Sequence, residues 1–392
     1  MPSLYIHFPF CKSRCAYCDF YSCSLAQLKA DRDKIFRDYG DKIIQQNSLL
    51  SHEFGIKDYS TVYLGGGTPS LYSLKELERI FAALKLLPEE REITIEVNPE
   101  SLDSARLREY GRLGINRISM GVQSLDEKVL KAMGRISGRE QALQSVQLLK
   151  GWKEGTWSAD FIFAYPGQDK KSQLEDLRQF LALEPPHFSF YSLTVEEGTA
   201  LHRRLEGGQL TLPDDEEMEQ AWEEALIMIK QAGYERYEIS SFCREEKYSQ
   251  HNLAYWNSHD WIGLGPAAAS KMGGRRFTGK DLDSFLASEE QNLLSRGDFY
   301  QEEILSREDI LAEEIMMGLR TKWGIGKERL ESYLSFDDFS LLLASTLKKW
   351  QRRLVLDRSG LRLTSSGLDW HSAVMVDLLL DLDKFFDYNT SL

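Results

Sequence analysis

The sequence predicts an α/β fold: a partial (β/α)6 barrel of the TIM type, followed by a C-terminal α+β unit that resembles a winged helix. Three observations predict it. Short β-rich runs alternate with longer amphipathic stretches as far as Ile239, the pattern of parallel strands with helices outside. Polar and reactive residues recur just after those runs, where sites gather in such barrels. Beyond about Tyr300 the alternation gives way to helical patterns and one small hairpin.

The strand-like runs are Leu4–His7, Thr61–Leu64, Ile93–Val97, Arg117–Gly121, Ser158–Phe163 and His187–Tyr191. Helical patterns fall between and after them at Leu25–Leu50, Leu74–Leu86, Ser104–Leu113, Glu140–Trp152 and Ser172–Leu183. A further helix, Asp214–Ala232, precedes a strand-like Tyr237–Ile239. In the C-terminal stretch, helices are expected at Ser306–Thr321, Lys327–Leu334 and Asp338–Arg353. Strands at Leu354–Asp357 and Leu361–Thr364 flank a Ser359-Gly360 turn, and a last helix runs from about Ser366 to Phe385. Length allows two or three domains, and the change of pattern divides the chain at 1–295 and 296–392.

Composition narrows the function classes. With 42% hydrophobic and 28% charged residues the chain reads as an ordinary globular protein. A net charge of -13 argues against a general nucleic-acid grip, which needs a basic surface. No apolar run reaches the length of a membrane span, and the start lacks the basic and apolar regions of a signal peptide. A cytoplasmic protein with reduced thiols is expected. The C-terminal unit is not distinctly basic and reads as a packing domain.

Three of the five cysteines, Cys11, Cys15 and Cys18, lie within eight positions at C-x3-C-x2-C spacing. Three thiolates can hold an iron–sulfur cluster and leave one iron open. Zinc is the rival, with His7 a fourth donor on spacing alone. Cys23 is not at the spacing of a fourth ligand, and Cys243 reads as a small buried hydrophobe. Gly65-Gly66-Gly67-Thr68-Pro69 follows the second strand, where glycine permits close approach of backbone to ligand. Glu96 ends the third strand, Gln123 follows the fourth, and Asp160 lies in the fifth. Arg135 follows in Met133-Gly134-Arg135. His251, Tyr255 and Trp256 stand in a His-Asn-x-x-Tyr-Trp segment; such residues can ligate heme iron and pack a porphyrin face, or simply fill the barrel's end.

The stretch Tyr5-Ile6-His7-Phe8-Pro9-Phe10-Cys11 through Cys18, with the aromatic Tyr17 before the third cysteine, resembles the signature of radical S-adenosylmethionine enzymes. The resemblance implies a radical S-adenosylmethionine barrel with a [4Fe–4S] cluster on the three cysteines. S-adenosylmethionine would be bound on the open iron, with Tyr5 and Tyr17 beside it. It implies that Gly66, Gly67 and Thr68 contact the cofactor's amino group and Glu96 its methionine or ribose portion. Gln123, Arg135 and Asp160 match positions for a second S-adenosylmethionine. GGGTP, MGVQS, Tyr165-Pro166-Gly167-Gln168 and HNxxYW are similar to the coproporphyrinogen oxidase-like branch.

Two readings exist inside that branch. The oxygen-independent coproporphyrinogen III dehydrogenases carry a fourth cysteine where this chain has Phe20. The Cys18-Asp19-Phe20 form together with HNxxYW instead resembles the HemW group of heme chaperones. Ala269 departs from that group, in which many relatives have histidine. This resemblance implies heme as cargo, a respiratory apoprotein that accepts it, a homodimer, and a peripheral link to a membrane through a partner. The alternatives are radical decarboxylation of two porphyrinogen propionates, or radical chemistry on an unrelated substrate.

Overall fold

A computed structural model describes residues 1–28, 31–86, 91–289 and 300–390, the last six of these without side chains. The expected division between 295 and 296 lies outside the described residues, as do residues 29 and 30 of the first expected helix.

Six strands run parallel and in chain order across one sheet: β1 (Ser3–Phe8), β2 (Val62–Gly66), β3 (Ile93–Val97), β4 (Arg117–Gln123), β5 (Thr156–Phe163) and β6 (His187–Ser192). Register pairs Phe8 with Gly66, Glu96 with Ser119, Gly121 with Asp160, and Asp160 with Ser189. Side chains alternate between faces along each strand. Ile95, Ile118, Met120, Ala159, Phe161, Phe188 and Phe190 are fully buried in the main hydrophobic core. The residues between them, Glu96, Ser119, Asp160 and Ser189, face a cavity inside the curved sheet. Barrel interiors of this kind are usually packed with branched apolar side chains. Here small hydroxyl residues leave the space open.

The helices are α1 (Arg32–Glu53), α2 (Leu74–Ala83), α3 (Ser104–Arg112), α4 (Arg139–Lys150), α5 (Lys170–Leu181) and α6 (Asp215–Gln231). Local chemistry fixes their starts. Asp31, Ser73, Asp103, Asp169 and Asp214 each accept a backbone N–H of the first turn, which satisfies an otherwise orphaned donor. Because Asp31 caps α1, that helix opens at Arg32 and not at the expected Leu25; only a 3-10 turn occupies Leu25–Gln27.

The sheet is larger than expected. Antiparallel β7 (Ser241–Cys243) joins β6, with a short Glu235–Arg236 strand beyond it. Tyr237–Ile239, expected as a strand, is irregular except for a single antiparallel bridge from Glu238 to Thr321. On the other side β8 (Trp261–Leu264) lies parallel to β1, followed by antiparallel β9 (Ala269–Met272), β10 (Arg275–Gly279) and β11 (Tyr300–Ile304). Between β7 and β8 sits a two-turn helix, α7 (Gln250–Trp256), which carries the HNxxYW segment.

A second core gathers Leu311, Ile315, Phe339, Trp350, Leu361, Val374 and Leu378. Its first helix, α8 (Arg307–Gly318), opens with a Ser306/Asp309 capping box. The expected helix Asp338–Arg353 is two short helices, Phe336–Leu342 and Ala344–Lys349, and the hairpin Leu354–Asp357/Gly360–Leu363 gains a third strand at Ile325–Gly326.

Candidate cofactor cavity at the strand ends

A cavity of about 390 Å³ opens at the C-terminal ends of the barrel strands. Cys11, Cys15, Cys18 and Tyr17 line it from the loop after β1. Gly66, Gly67, Thr68, Glu96, Gln123, Arg135 and Asp160 line it from the strand ends. The structure thus brings together all the expected cofactor residues except Tyr5. Tyr5 stands one ring behind the wall: its hydroxyl bonds His7 Nδ1 at 3.0 Å and its ring stacks on Tyr63 at 6.2 Å.

The glycine loop is shaped by close approach. Gly66 adopts φ +107°, and a Cβ there would lie 2.6 Å from the His7 ring. At Gly67 a Cβ would meet the carbonyl oxygens of Phe8 and Phe10 at 2.9 Å. Any larger residue would push the loop off β1. Gln123 sits at φ +66° where the β4–β5 register shifts between Gly121 and Gln123. Such a bulge re-aims a side chain, here into the cavity.

A hydrogen-bonded chain ties two of the thiols together. Thr68 Oγ1 lies 3.6 Å from Cys11 Sγ and accepts from Asn98 Nδ2 at 3.2 Å. Asn98 Oδ1 accepts from Arg135 Nη2 at 2.9 Å, and Arg135 Nη1 points at Cys15 Sγ, 3.9 Å away. Burial pushes the Cys18 thiol up to about 11 and raises that of Cys11. A metal bound there would favour the thiolates and displace their protons into solvent. His7, the alternative fourth donor, has both ring nitrogens engaged, by Tyr5 and by the Tyr21 carbonyl at 2.9 Å. Among the described residues, no three His, Cys, Asp or Glu side chains are gathered around a single-ion site. A cubane cluster asks for wider spacing, because each thiolate meets a different iron.

The two wall carboxyls share one character. Burial lifts Glu96 to about 7 and Asp160 to about 6. Glu96 Oε1 accepts from the Tyr63 hydroxyl at 2.9 Å and Oε2 from the Gly66 amide at 3.1 Å. Ser189 and Ser119 hydroxyls face Asp160. Deeper in the cavity Thr94 Oγ1 and His187 Nδ1 are buried without a partner. A donor set of three thiols beside an arginine, two carboxyls and orphaned polar atoms fits a cluster with a polar, zwitterionic ligand.

Asn98, Tyr63 and Tyr191 are among the wall residues that escaped the sequence reading. Each is one position from an apolar core residue (Val97, Leu64 and Phe190) and so falls on the opposite, cavity-facing side. Period-two alternation from Glu96 would have found Asn98. The HNxxYW residues His251, Tyr255 and Trp256 do not line the cavity. His251 is 1% exposed, with Nδ1 bonded to Thr61 Oγ1 and Nε2 to the Tyr255 hydroxyl, both at 2.8 Å. Trp256 lies under the Arg320 guanidinium, 4.3 Å from its ring centre. As placed, none of them offers an atom to an iron. Cys23 does not line the cavity, and Cys243 is 1% exposed in the core.

Comparison with known proteins agrees with this geometry. The Radical SAM superfamily matches residues 5–181, and the HemN C-terminal domain matches residues 305–370. The chain belongs to the radical S-adenosylmethionine superfamily, whose domain implies a [4Fe–4S] cluster and S-adenosylmethionine. It is 31% identical to the heme chaperone HemW of Lactococcus lactis over 97% of each chain. It is 36% identical to that of Escherichia coli over 69% of this chain and 70% of that one. A Danio rerio relative, radical S-adenosyl methionine domain-containing protein 1, mitochondrial, is 30% identical over 98% of this chain and 88% of its own. Within the superfamily the chain belongs to the HemW family. The solved structure of coproporphyrinogen III oxidase (HemN) from Escherichia coli superposes with a TM-score of 0.80 over 98% of this chain and 90% of that one. At 20% identity it shares the fold. Among the described residues no helix is long and apolar enough to cross a membrane.

Proposed function

We propose that this protein is a heme chaperone that holds a [4Fe–4S] cluster on Cys11, Cys15 and Cys18. In this reading Tyr17, Gly66, Gly67, Thr68, Glu96, Gln123, Arg135 and Asp160 receive S-adenosylmethionine, and Tyr5 supports them from behind. Held by these thiolates, a cluster would offer one-electron chemistry at the sulfonium of S-adenosylmethionine. The chain's own residues orient these ligands: the glycine loop and Glu96 hold the first S-adenosylmethionine, and Gln123, Arg135 and Asp160 face a second. Heme is the cargo, delivered to a respiratory apoprotein. A homodimer, a cytoplasmic location and a peripheral link to the membrane through that partner belong to the same proposal, as does a division into units 1–295 and 296–392.

One observation carries the chaperone reading over decarboxylation. Phe20 lines the cavity rim and is 66% exposed where the decarboxylating relatives are expected to have cysteine. Tyr191, 44% exposed, lines the same rim. Two exposed rings at a mouth suit contact with a planar apolar tetrapyrrole, and neither supplies a thiol. The test is anaerobic reconstitution of the cluster, then addition of S-adenosylmethionine and coproporphyrinogen III. The chaperone reading expects no protoporphyrinogen, stoichiometric heme binding, and heme transfer to an apo-cytochrome. Sustained turnover to protoporphyrinogen would reverse it.

A further inference from the structure

The HNxxYW helix has no part in the function proposed so far, yet it is among the most firmly anchored elements near the barrel. Ser249 caps α7 by accepting the Asn252 amide. The Gln250 and His251 amides donate to the Glu92 carboxylate at 3.1 and 2.9 Å. Glu92 in turn faces the buried Arg117 guanidinium at 3.5 Å. Glu92 precedes β3 and Arg117 opens β4, so α7 is fastened beneath the N-terminal ends of the strands. From there Ser249 and Asn252 reach the cavity as its floor.

His251 lies against the back of the cavity wall. Its ring stacks on Tyr63, with centres 5.0 Å apart and planes 27° apart. Tyr5 stacks on Tyr63 as well, at 6.2 Å and 28°. Bonds to Thr61 and Tyr255 at its two nitrogens stop the His251 ring from turning out of that stack. Tyr255 is itself wedged edge-on against Trp261 at 5.0 Å. The Tyr63 hydroxyl, so held, donates to Glu96 Oε1, and the Gly66 amide holds Oε2. With one donor on each oxygen the carboxylate cannot swivel, and its remaining lone pairs face the cavity.

We propose that His251 and Tyr63 are positioning residues for Glu96, so that the HNxxYW motif serves the S-adenosylmethionine cavity and does not ligate heme iron. The inference rests on the reading that Glu96 contacts S-adenosylmethionine. Histidine suits the task because a flat ring with two polar edges can both stack and be pinned at each end. The C-terminal unit closes the arrangement from outside: Arg320, which follows α8, covers Trp256 and reaches Glu238 at 3.4 Å.

The test uses the full chain with its cluster reconstituted anaerobically. S-adenosylmethionine affinity is read from the change in the reduced cluster's paramagnetic resonance on titration. Heme affinity and ligation are read from the Soret band. Glu96→Gln and Tyr63→Phe are expected to weaken S-adenosylmethionine binding by about tenfold or more, the loss expected of one hydrogen bond to a charged group. His251→Phe, which keeps the stack and loses both pins, weakens it by about threefold to tenfold. His251→Gln, which loses the stack and keeps at most one of the two bonds, weakens it at least as much as His251→Phe, and an unchanged cluster absorbance in both variants guards against misfolding. Heme affinity stays within about twofold, and the Soret position is unchanged, in every variant. Loss of heme binding in both His251 variants with unchanged S-adenosylmethionine affinity overturns the proposal. If Glu96→Gln weakens the cofactor and Tyr63→Phe does not, the relay fails while the cavity assignment stands. If Glu96→Gln has no effect, the cavity assignment of Glu96 is what fails.

Discussion

The two ends of the barrel offer an instructive contrast. Each carries a motif rich in metal-capable side chains: thiols in the loop after β1, and histidine with two aromatic residues in α7. At the strand C-terminal ends those side chains border open space, and their partners are loose. Cys15 Sγ has Arg135 at 3.9 Å and the Tyr17 hydroxyl beside it, and Cys11 Sγ has Thr68 at 3.6 Å and the Ser22 hydroxyl beside it. At the N-terminal ends both ring nitrogens of His251 are bonded at 2.8 Å and shut away from solvent, while Trp256 Nε1 on the same helix is buried without a partner. Residue type sets what a group can bind, and hydrogen-bond saturation decides whether it is free to do so. By that measure the first end is the one we propose as the site, and the second the one we propose as its support.

The contrast breaks most visibly at the cysteines. Cys15→Ala is expected to abolish the iron–sulfur absorbance of the reconstituted protein, since two thiolates do not hold a cubane; unchanged iron content would remove Cys15 from the ligand set. Next in size is Glu96→Ala. Removing a charged acceptor should cost about 2 kcal/mol of S-adenosylmethionine binding, near thirtyfold in affinity, measurable by calorimetry. The same carboxyl gives a pH signature. With its folded value near 7, Glu96 is ionised above that pH and accepts at both oxygens. Cofactor affinity should therefore fall as pH drops through about 7, and Glu96→Gln should flatten the profile. Stability moves the other way. A folded value raised above the ordinary 4.5 of a glutamate means that this group favours the folded state as pH falls from about 7 toward 4.5. The melting temperature of Glu96→Gln relative to the parent should reveal that difference.

Smaller effects sharpen the comparison at the rim and at the outer shell. Phe20→Ala should weaken heme binding by about tenfold, the contact worth of one exposed aromatic ring, with the cluster absorbance intact. Arg320→Ala removes a cation–π contact with Trp256 and should lower stability by about 1 kcal/mol in denaturant titration. It should leave the cluster in place, because Arg320 does not reach the cavity.

Much of the barrel was legible in the chain. The six parallel strands fall where β-rich runs alternate with amphipathic helices, since local pattern and sheet burial agree there. What escaped has a common cause. Strands β8 to β11 lack the strand–helix alternation and are recruited by pairing with β1 and with one another, a long-range event. The expected helix Asp338–Arg353 breaks at Leu343, where Phe339 and Leu343 both turn into the second core. At the site, Tyr5 and Tyr63 look alike in sequence, and only the curvature of the sheet puts one in the wall and the other behind it.

The sequence by itself determined the chemistry on offer: three thiols at fixed spacing, a glycine loop that no larger residue can replace, and Phe20 in place of a fourth cysteine. Those are local properties, set by residue type and by separations of a few positions. Tertiary structure decided which of those groups face one another and which are spent on holding the rest. In the chain His251 reads either as a heme-ligand candidate or as filling at the barrel's end; in the fold both of its ring nitrogens are bonded. Its two nitrogens are claimed by Thr61, 190 positions earlier, and by Tyr255, four positions later. No local pattern encodes the first of those claims, because it exists only once β2 and α7 have been packed together.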